Sequence, residues 1–480
     1  MKQIHDVLII GAGVTGTMIA RELSKYLLDV VILDKNNDAG DATSSANSAI
    51  IHSGYDPEPG SLKAKFNVLG NAKYPELVKQ LDVPFIQCGS LTIATEDEQL
   101  PVLKELAERS KINGVEVKLL NKEEVLKMEP NINPEVKGAL YAPTAGIIDP
   151  FNLVVHAMEN AIDNGVKFLR NHEVLDIKKL DDAYLVKTDK EDLFAKIVIN
   201  AAGLKSDKIA SMIEDIDWAI TPRKGEYFLL DHYAEGLVNH TIFPLPSKKG
   251  KGVLVSQTSS GNYIVGPSSE PADADDVSTD GATLNNIRKA ATLMVPSIPF
   301  NQTIRVFAGE RATCTRHDFI IEYAKSDKNF INVAGIESPG LASSPAIAEY
   351  VVEELVRSLI KLENNPSFNP CVKPYHRMHY LSEEEQLEVI KNDPDYGKII
   401  CNCEHISLGE IKDALSRSCP PVSIKGVKRR TRSGYGKCQG GFCQPKVLML
   451  LAEHYKVSPT KIPLAEEGSY IIDHEIKEVK

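Results

Sequence analysis

Short apolar runs that stop at glycine or at an acid punctuate the chain. The first, His5-Asp6-Val7-Leu8-Ile9-Ile10, has the length of a buried strand and meets Gly11-Ala12-Gly13-Val14-Thr15-Gly16, where a helical pattern opens. The next, Val30-Val31-Ile32-Leu33, ends at Asp34 and Lys35. Strand, glycine turn, helix and second strand together predict one βαβ unit of a doubly wound parallel sheet. Alternating runs further on, Ser90-Leu91-Thr92-Ile93-Ala94, Tyr227-Phe228-Leu229-Leu230 and Asn262-Tyr263-Ile264-Val265-Gly266, predict a separate mixed or antiparallel sheet. No apolar stretch reaches the ~18 residues of a membrane helix. The first run has only Lys2 as a basic leader and no evident cleavage site, so a cytoplasmic location is expected, with any membrane association made through a partner.

The glycines carry chemistry. Gly11, Gly13 and Gly16 let the chain turn tightly, bring backbone up to a pyrophosphate and pack helix on strand, while the helix N-terminus offers free N–H groups to phosphate. Asp34 stands where an acid binds adenosine ribose hydroxyls. This pattern does not by itself separate NAD from FAD. Beyond Asp34 the chain runs through Thr43-Ser44-Ser45-Ala46-Asn47-Ser48, small polar residues suited to a flavin's ribityl and pyrophosphate and equally to a helix cap in a solvated loop.

A chain of 480 residues is too long for one core, so several domains are expected. The net charge of −11 excludes a general nucleic-acid binder, and an anionic substrate then needs a local cationic site. Five of the eight cysteines, Cys401, Cys403, Cys419, Cys438 and Cys443, crowd the last fifth of the chain, a distribution that favours a metal site in a reducing compartment. Cys401-Asn402-Cys403 and Cys438-Gln439-Gly440-Gly441-Phe442-Cys443 supply four thiolates, suited to an iron-sulfur cluster or tetrahedral zinc. The spacing is not that of a zinc ribbon, and Gly434, Gly436, Gly440 and Gly441 let amides approach sulfide, so a 2Fe-2S cluster is expected. Cys419 reads as a buried structural thiol. The run Lys425-Gly426-Val427-Lys428-Arg429-Arg430-Thr431-Arg432 reads either as a solvated turn or as charge that offsets the cluster or guides an acidic redox partner.

The first three quarters of the chain resemble the D-amino-acid oxidase-type FAD-dependent oxidoreductase superfamily. Besides the N-terminal unit, the likeness rests on Asn47-Ser48-Ala49-Ile50-Ile51-His52-Ser53-Gly54, Ile197-Val198-Ile199-Asn200-Ala201-Ala202-Gly203 and Gly335-Ile336-Glu337-Ser338-Pro339-Gly340-Leu341. The resemblance implies one FAD held by Gly11, Gly13, Thr15, Gly16, Asp34, Lys35, Ser44, Ser45, Asn47, Ser48, Val174, Ala202, Gly203, Gly335, Gly340 and Leu341. Residues 52–65 and Arg223-Lys224-Gly225-Glu226-Tyr227-Phe228 resemble two branches, the FAD-dependent glycerol-3-phosphate dehydrogenases and oxidases and the L-2-hydroxyglutarate dehydrogenases and oxidases. The tail resembles the bacterioferritin-associated-ferredoxin-like 2Fe-2S domain that ends the anaerobic glycerol-3-phosphate dehydrogenase subunit, which implies Cys401, Cys403, Cys438 and Cys443 as ligands and tilts the reading to glycerol 3-phosphate.

Oxidising a secondary alcohol needs a base beside the carbinol, and His52 sits next to the flavin-loop segment just before Gly54. Ser48 would orient it or touch flavin. An anion needs a cation in a dry pocket. Phe307-Ala308-Gly309-Glu310-Arg311 resembles the family segment whose arginine binds the substrate acid, which points to Arg311, although Glu310 stands where the family has a hydrophobic residue. Lys251, in a basic glycine turn, is a second candidate contact. The expected layout is an α/β chain. Residues 1–80, 145–215 and 320–365 form the FAD domain, and residues 81–144 and 216–319 form an α+β substrate domain. A linker at 366–395, a 2Fe-2S domain at 396–455 and a tail at 456–480 complete the chain. Oxidation of glycerol 3-phosphate with electron export to a redox partner protein or subunit is expected, the alternatives being a 2-hydroxy-acid dehydrogenase and a non-catalytic electron-transfer subunit. The cysteine module should be separable near residue 395.

Overall fold

The computed structural model describes residues 3–246, 252–273 and 275–474. Among them lie two large sheets, two small ones and a helical C-terminal module. The first large sheet has the parallel order Lys167–Leu169, Val30–Leu33, Ile4–Ile10, Asp192–Asn200, Phe330–Ala334. The hairpin Val174–Lys179 and Tyr184–Thr188 extends it antiparallel from Asp192–Asn200, and Ile320–Tyr323 runs antiparallel to Phe330–Ala334. Val7 and Ile9 are buried under helices on one face, and Leu8 and Ile10 on the other under the hairpin side chains Val174, Ile177, Tyr184 and Val186 with Ile209, so this strand is continuously apolar rather than alternating. Helices Val14–Leu23, Pro150–Asp163 and Gly340–Tyr350 pack on one face and share its core.

The second sheet has nine strands, including Ser90–Ala94, Arg223–Leu230, Tyr263–Gly266 and Thr303–Arg311. Arg223–Leu230 and Thr303–Arg311 pair antiparallel along nearly their whole length, from Arg223 opposite Arg311 to Leu230 opposite Thr303. Ser90–Ala94 is buried at every position, so the alternation its sequence suggests does not mark a solvent face here. A three-stranded sheet of Ile50–Ile51, Gly146–Ile148 and Phe85–Ile86 lies between the two large sheets in sequence and carries the chain from the glycine-rich unit into His52.

Residues 366–395 are not a free tether. Val372 joins the core of the first sheet, Tyr375 stacks on His156 at 4.5 Å and donates to Glu159, and Arg377 pairs with Asp82 at 2.9 Å. Helix Glu383–Asn392 comes next, with a Ser382 capping box. The C-terminal module has its own core, in which Ile406, Ile411, Val427, Val447 and Leu451 pack together. Residues beyond 455 also pack: Leu464 accepts from the Lys425 amide and Ala465 from Asn37.

Candidate active site and cluster site

The glycine turn is fixed by close approach. A Cβ on Gly11, whose φ is +104°, would lie 2.4 Å from the Ala201 carbonyl oxygen, and one on Gly16 would lie 1.9 Å from that of Gly11. The turn therefore abuts the end of Asp192–Asn200, just before Ala202 and Gly203, and the amide of Ala201 donates to Ile10. The Asp34 carboxylate accepts from the Ala12 and Asn36 amides at 2.7 and 2.8 Å, and burial raises its pKa despite those bonds. Lys35 beside it is exposed. The Asp34 carbonyl accepts from His172, which puts Val174 near the same end of the cradle. Thr15 is buried on the helix opened by the turn. These segments fit a dinucleotide: free amides at a helix start, a buried acid and backbone where side chains do not fit.

The polar run forms a 3-10 turn, Ala42–Ser45, that lies against strand Thr303–Arg311. The Thr43 hydroxyl donates to the Glu310 carbonyl at 2.8 Å, and a Cβ on Gly309 would lie 2.0 Å from the Ala46 carbonyl oxygen. Ser44 accepts from the Val14 amide, tying the turn to the glycine loop, while the Ser45 hydroxyl donates to Ala42. Asn47 braces the loop through Thr43, Ser44 and Ala49. Ser48 lies 3.0 Å, hydroxyl to hydroxyl, from Tyr227, whose ring stacks on Phe307 at 4.8 Å. Tyr227 was missed as a site residue: its segment was legible as a strand, but nothing local says which face meets Ser48.

His52 comes directly after the short strand Ile50–Ile51. Its carbonyl accepts from Asn67 and Asn71, and its ring sits 5.8 Å from that of Phe243 on the second sheet. Asp318 was also missed; its carboxylate accepts from the Leu62 and Lys63 amides and so fixes the helix after the His52 loop. Lys63 reaches Glu337, and Thr313 donates to the same carboxylate, bringing the Gly335–Leu341 segment to this place. Gly335, at φ +66°, leaves the strand, and Gly340 and Leu341 open the helix Gly340–Tyr350.

Arg311 ends its strand opposite Arg223. Its Nη2 donates to the Ser268 carbonyl at 3.2 Å, while its Nη1 is buried with no hydrogen-bond partner among the described residues. Such a group is costly unless a ligand completes it. Glu310 does not oppose it: successive side chains of a strand point to opposite faces, and the Glu310 carboxylate accepts from the Asp275 amide. Lys251 lies outside the described residues.

In the C-terminal module the sulfurs group two and two. Cys403 and Cys438 are 3.6 Å apart, close to the ~3.7 Å edge of a tetrahedron with metal–sulfur bonds of about 2.3 Å. Cys443, with the Gly434, Glu404 and Cys403 amides, holds the Cys401 thiol well below its usual range. Two thiol pairs suit a two-iron centre, one pair to each iron. A Cβ on Gly436 would lie 2.4 Å from that of Cys403, so the loop closes only on glycine. Cys443 is the N-cap of helix Gln444–Tyr455. Cys419 is fully buried in the core of the first sheet, outside this group.

The basic run is helix Ile424–Thr431, and it is neither a solvated turn nor a free guide for a partner. Arg430, fully buried, makes a fork to Asp38 with bonds of 2.6 and 2.8 Å; Arg429 and Lys425 both pair with Asp41. Burial alone would raise the Asp38 pKa, but the Arg430 charge holds it below the usual carboxylate range. The helix thus docks the cysteine module onto the loop after the second strand of the dinucleotide unit.

Residues 6–354 match the family described as FAD dependent oxidoreductase, and residues 399–453 match the BFD-like [2Fe-2S] binding domain. The chain belongs to the FAD-dependent oxidoreductase family. It is 48% identical to the glycerol 3-phosphate dehydrogenase of Caloramator mitchellensis, over 98% of both chains. It is 38% identical to the glycerol 3-phosphate oxidase of Mycoplasma genitalium, over 76% of this chain and 99% of that one. The FAD-bound, dithionite-reduced L-alpha-glycerophosphate oxidase of Mycoplasma pneumoniae superimposes with a TM-score of 0.74 at 34% identity, covering 78% of this chain and all of that one. The chain is therefore a flavin-dependent oxidoreductase whose cofactors are FAD and a [2Fe-2S] cluster, as the family resemblance and the cysteine spacing led one to expect. Among the described residues no helix is long and apolar enough to cross a membrane.

Proposed function

We propose that the chain oxidises sn-glycerol 3-phosphate to dihydroxyacetone phosphate and sends the electrons out through the cluster to a redox partner protein. The observation that carries this reading is Arg311, a half-buried side chain whose buried Nη1 has no hydrogen-bond partner among the described residues. Such a group suits a phosphate or a carboxylate, and the relatives tip the choice to phosphate. Relatives named for glycerol 3-phosphate match the whole flavoprotein region.

Bound FAD supplies the acceptor for a hydride at its N5. The residues then divide the remaining work. Arg311 holds the substrate anion, and the His52 imidazole takes the hydroxyl proton, a task suited to a group that titrates near neutrality. The hydroxyl pair of Ser48 and Tyr227 fixes the loop that carries His52. The positive N-terminal end of helix Gly340–Tyr350 would favour negative charge on the bound cofactor.

An anaerobic substrate panel with flavin absorbance as readout tests the reading. Bleaching by glycerol 3-phosphate, and not by L-2-hydroxyglutarate or glycine, is expected. Bleaching by L-2-hydroxyglutarate alone moves the chain to the other branch, and bleaching by none makes it a relay without a substrate of its own. An electron paramagnetic resonance signal from the cluster after substrate addition tests export.

A further inference from the structure

We propose that Lys428, Arg432 and Arg305 form a cationic wall between the cysteine loop and the flavoprotein that raises the reduction potential of the [2Fe-2S] cluster. The inference rests on the reading that the cluster is the outlet for flavin electrons.

Lys428 differs from its neighbours on the basic helix. Lys425, Arg429 and Arg430 each meet an aspartate, whereas Lys428 has no ion pair among the described residues. Its ammonium lies 4.5 Å from the ring centroid of Tyr435, which stands between Gly434 and Gly436 of the cysteine loop. Arg432 covers the same ring at 4.9 Å. Arg305 comes from the second sheet, on the strand that ends at Arg311, and donates to Gln439, the residue after Cys438, at 3.3 Å. Burial first, then Arg305 and Arg432, bring the Lys428 ammonium down to about 8, the mark of a cation short of countercharge. Against the three cations stand Glu404, salt-bridged to Arg432 at 2.9 Å, and Asp149, whose carboxylate caps helix Pro150–Asp163.

One-electron reduction of a four-thiolate cluster adds one negative charge and transfers no atoms. Fixed positive charge stabilises the reduced form more than the oxidised form, and net charge is among the terms that set the potential of such clusters. Lys428 and Arg432 are half-buried and so are screened less by salt than Arg305, which is exposed. The three cations lie near one another beside the cysteine loop, so together they make the cluster a better acceptor of electrons.

The test is a mediated redox titration of the anaerobically purified full-length holoenzyme, following the cluster by electron paramagnetic resonance, with iron and sulfide measured in each sample. Lys428→Gln is expected to lower the potential by about 59 mV, tenfold in the reduced-to-oxidised ratio for one electron. Lys428→Arg should keep the parent value. Arg305→Gln, on a different element, should shift it in the same direction, and it decides the matter where Lys428→Gln does not retain its cluster. Lys446→Gln, on the exposed side of the module, should move it less than twofold in that ratio, about 18 mV. Cluster-loaded Arg305→Gln and Lys428→Gln proteins that both stay within about 18 mV of the parent overturn the proposal. So does a Lys446→Gln shift as large as that of Lys428→Gln. No substrate enters this titration, so its failure leaves the oxidation reading to be judged separately by flavin bleaching.

Discussion

The flavin site and the cluster site are built in opposite ways. The segments proposed for the first run from Gly11 to Leu341 and are brought together by parallel strand pairing. The second takes its four cysteines from one short stretch, and its loop geometry is set by local glycines. Yet the locally built module is not independent. Its basic helix inserts a buried arginine into the loop after Asp34, so a site that is local in sequence is anchored to a site that is not. Local construction of a metal site does not imply an autonomous domain.

Arg430 offers the strongest way to break this comparison. Arg430→Ala leaves the Asp38 carboxylate buried without its countercharge, a change that typically costs about 3–5 kcal/mol. Thermal unfolding of FAD-loaded protein should show that loss together with earlier FAD release, and unchanged values would restore the picture of two independent parts. Truncation near residue 395 removes Arg430, Arg429 and Lys425 at once. The sequence-based expectation that such a fragment keeps its flavin chemistry is therefore reversed, and a protein that loses FAD is expected.

Arg311→Ala should weaken binding of the anionic substrate by about 2–5 kcal/mol while FAD occupancy holds. Titration of flavin absorbance with substrate or an unreactive analogue measures it; equal affinity for the variant would remove Arg311 from the site.

His52→Ala sharpens the division of labour, because a general base acts on the flavin side alone. Flavin reduction in anaerobic stopped flow at saturating substrate should slow by about a hundredfold, with FAD still bound. An unaltered rate would give His52 a structural role.

Cys401→Ser is the complementary lesion. It should abolish the cluster and turnover with the native protein acceptor, yet leave flavin bleaching within about twofold, because the docking helix and its ion pairs remain. The smallest effect is expected from Tyr227→Phe, which removes one hydroxyl contact to Ser48. A loss of about 0.5–1.5 kcal/mol in kcat/KM is the scale of one hydrogen bond, and no change would make the pair incidental.

Much of this was legible without coordinates, for a physical reason in each case. Gly11, Gly13 and Gly16 announce a backbone that must approach something closely, and Asp34 stands at the end of the second strand because the βαβ unit fixes that distance. The cysteines identify a thiolate site because two close pairs, Cys401 with Cys403 and Cys438 with Cys443, flank a helical stretch. These are local signals, carried by residue type and short spacing. The tertiary structure alone decided which charges are spent on docking. In the run Lys425 to Arg432 the sequence shows only a basic run; strand order and the packing of helix Pro150–Asp163 bring Asp38 and Asp41 against Arg430 and Arg429 and leave Lys428 to face Tyr435. In the same way Tyr227 reaches Ser48, and one nitrogen of Arg311 is left without a partner among the described residues, through the register of two strands remote from the glycine turn. Residue type sets what a side chain can do, and the long-range register sets what it meets.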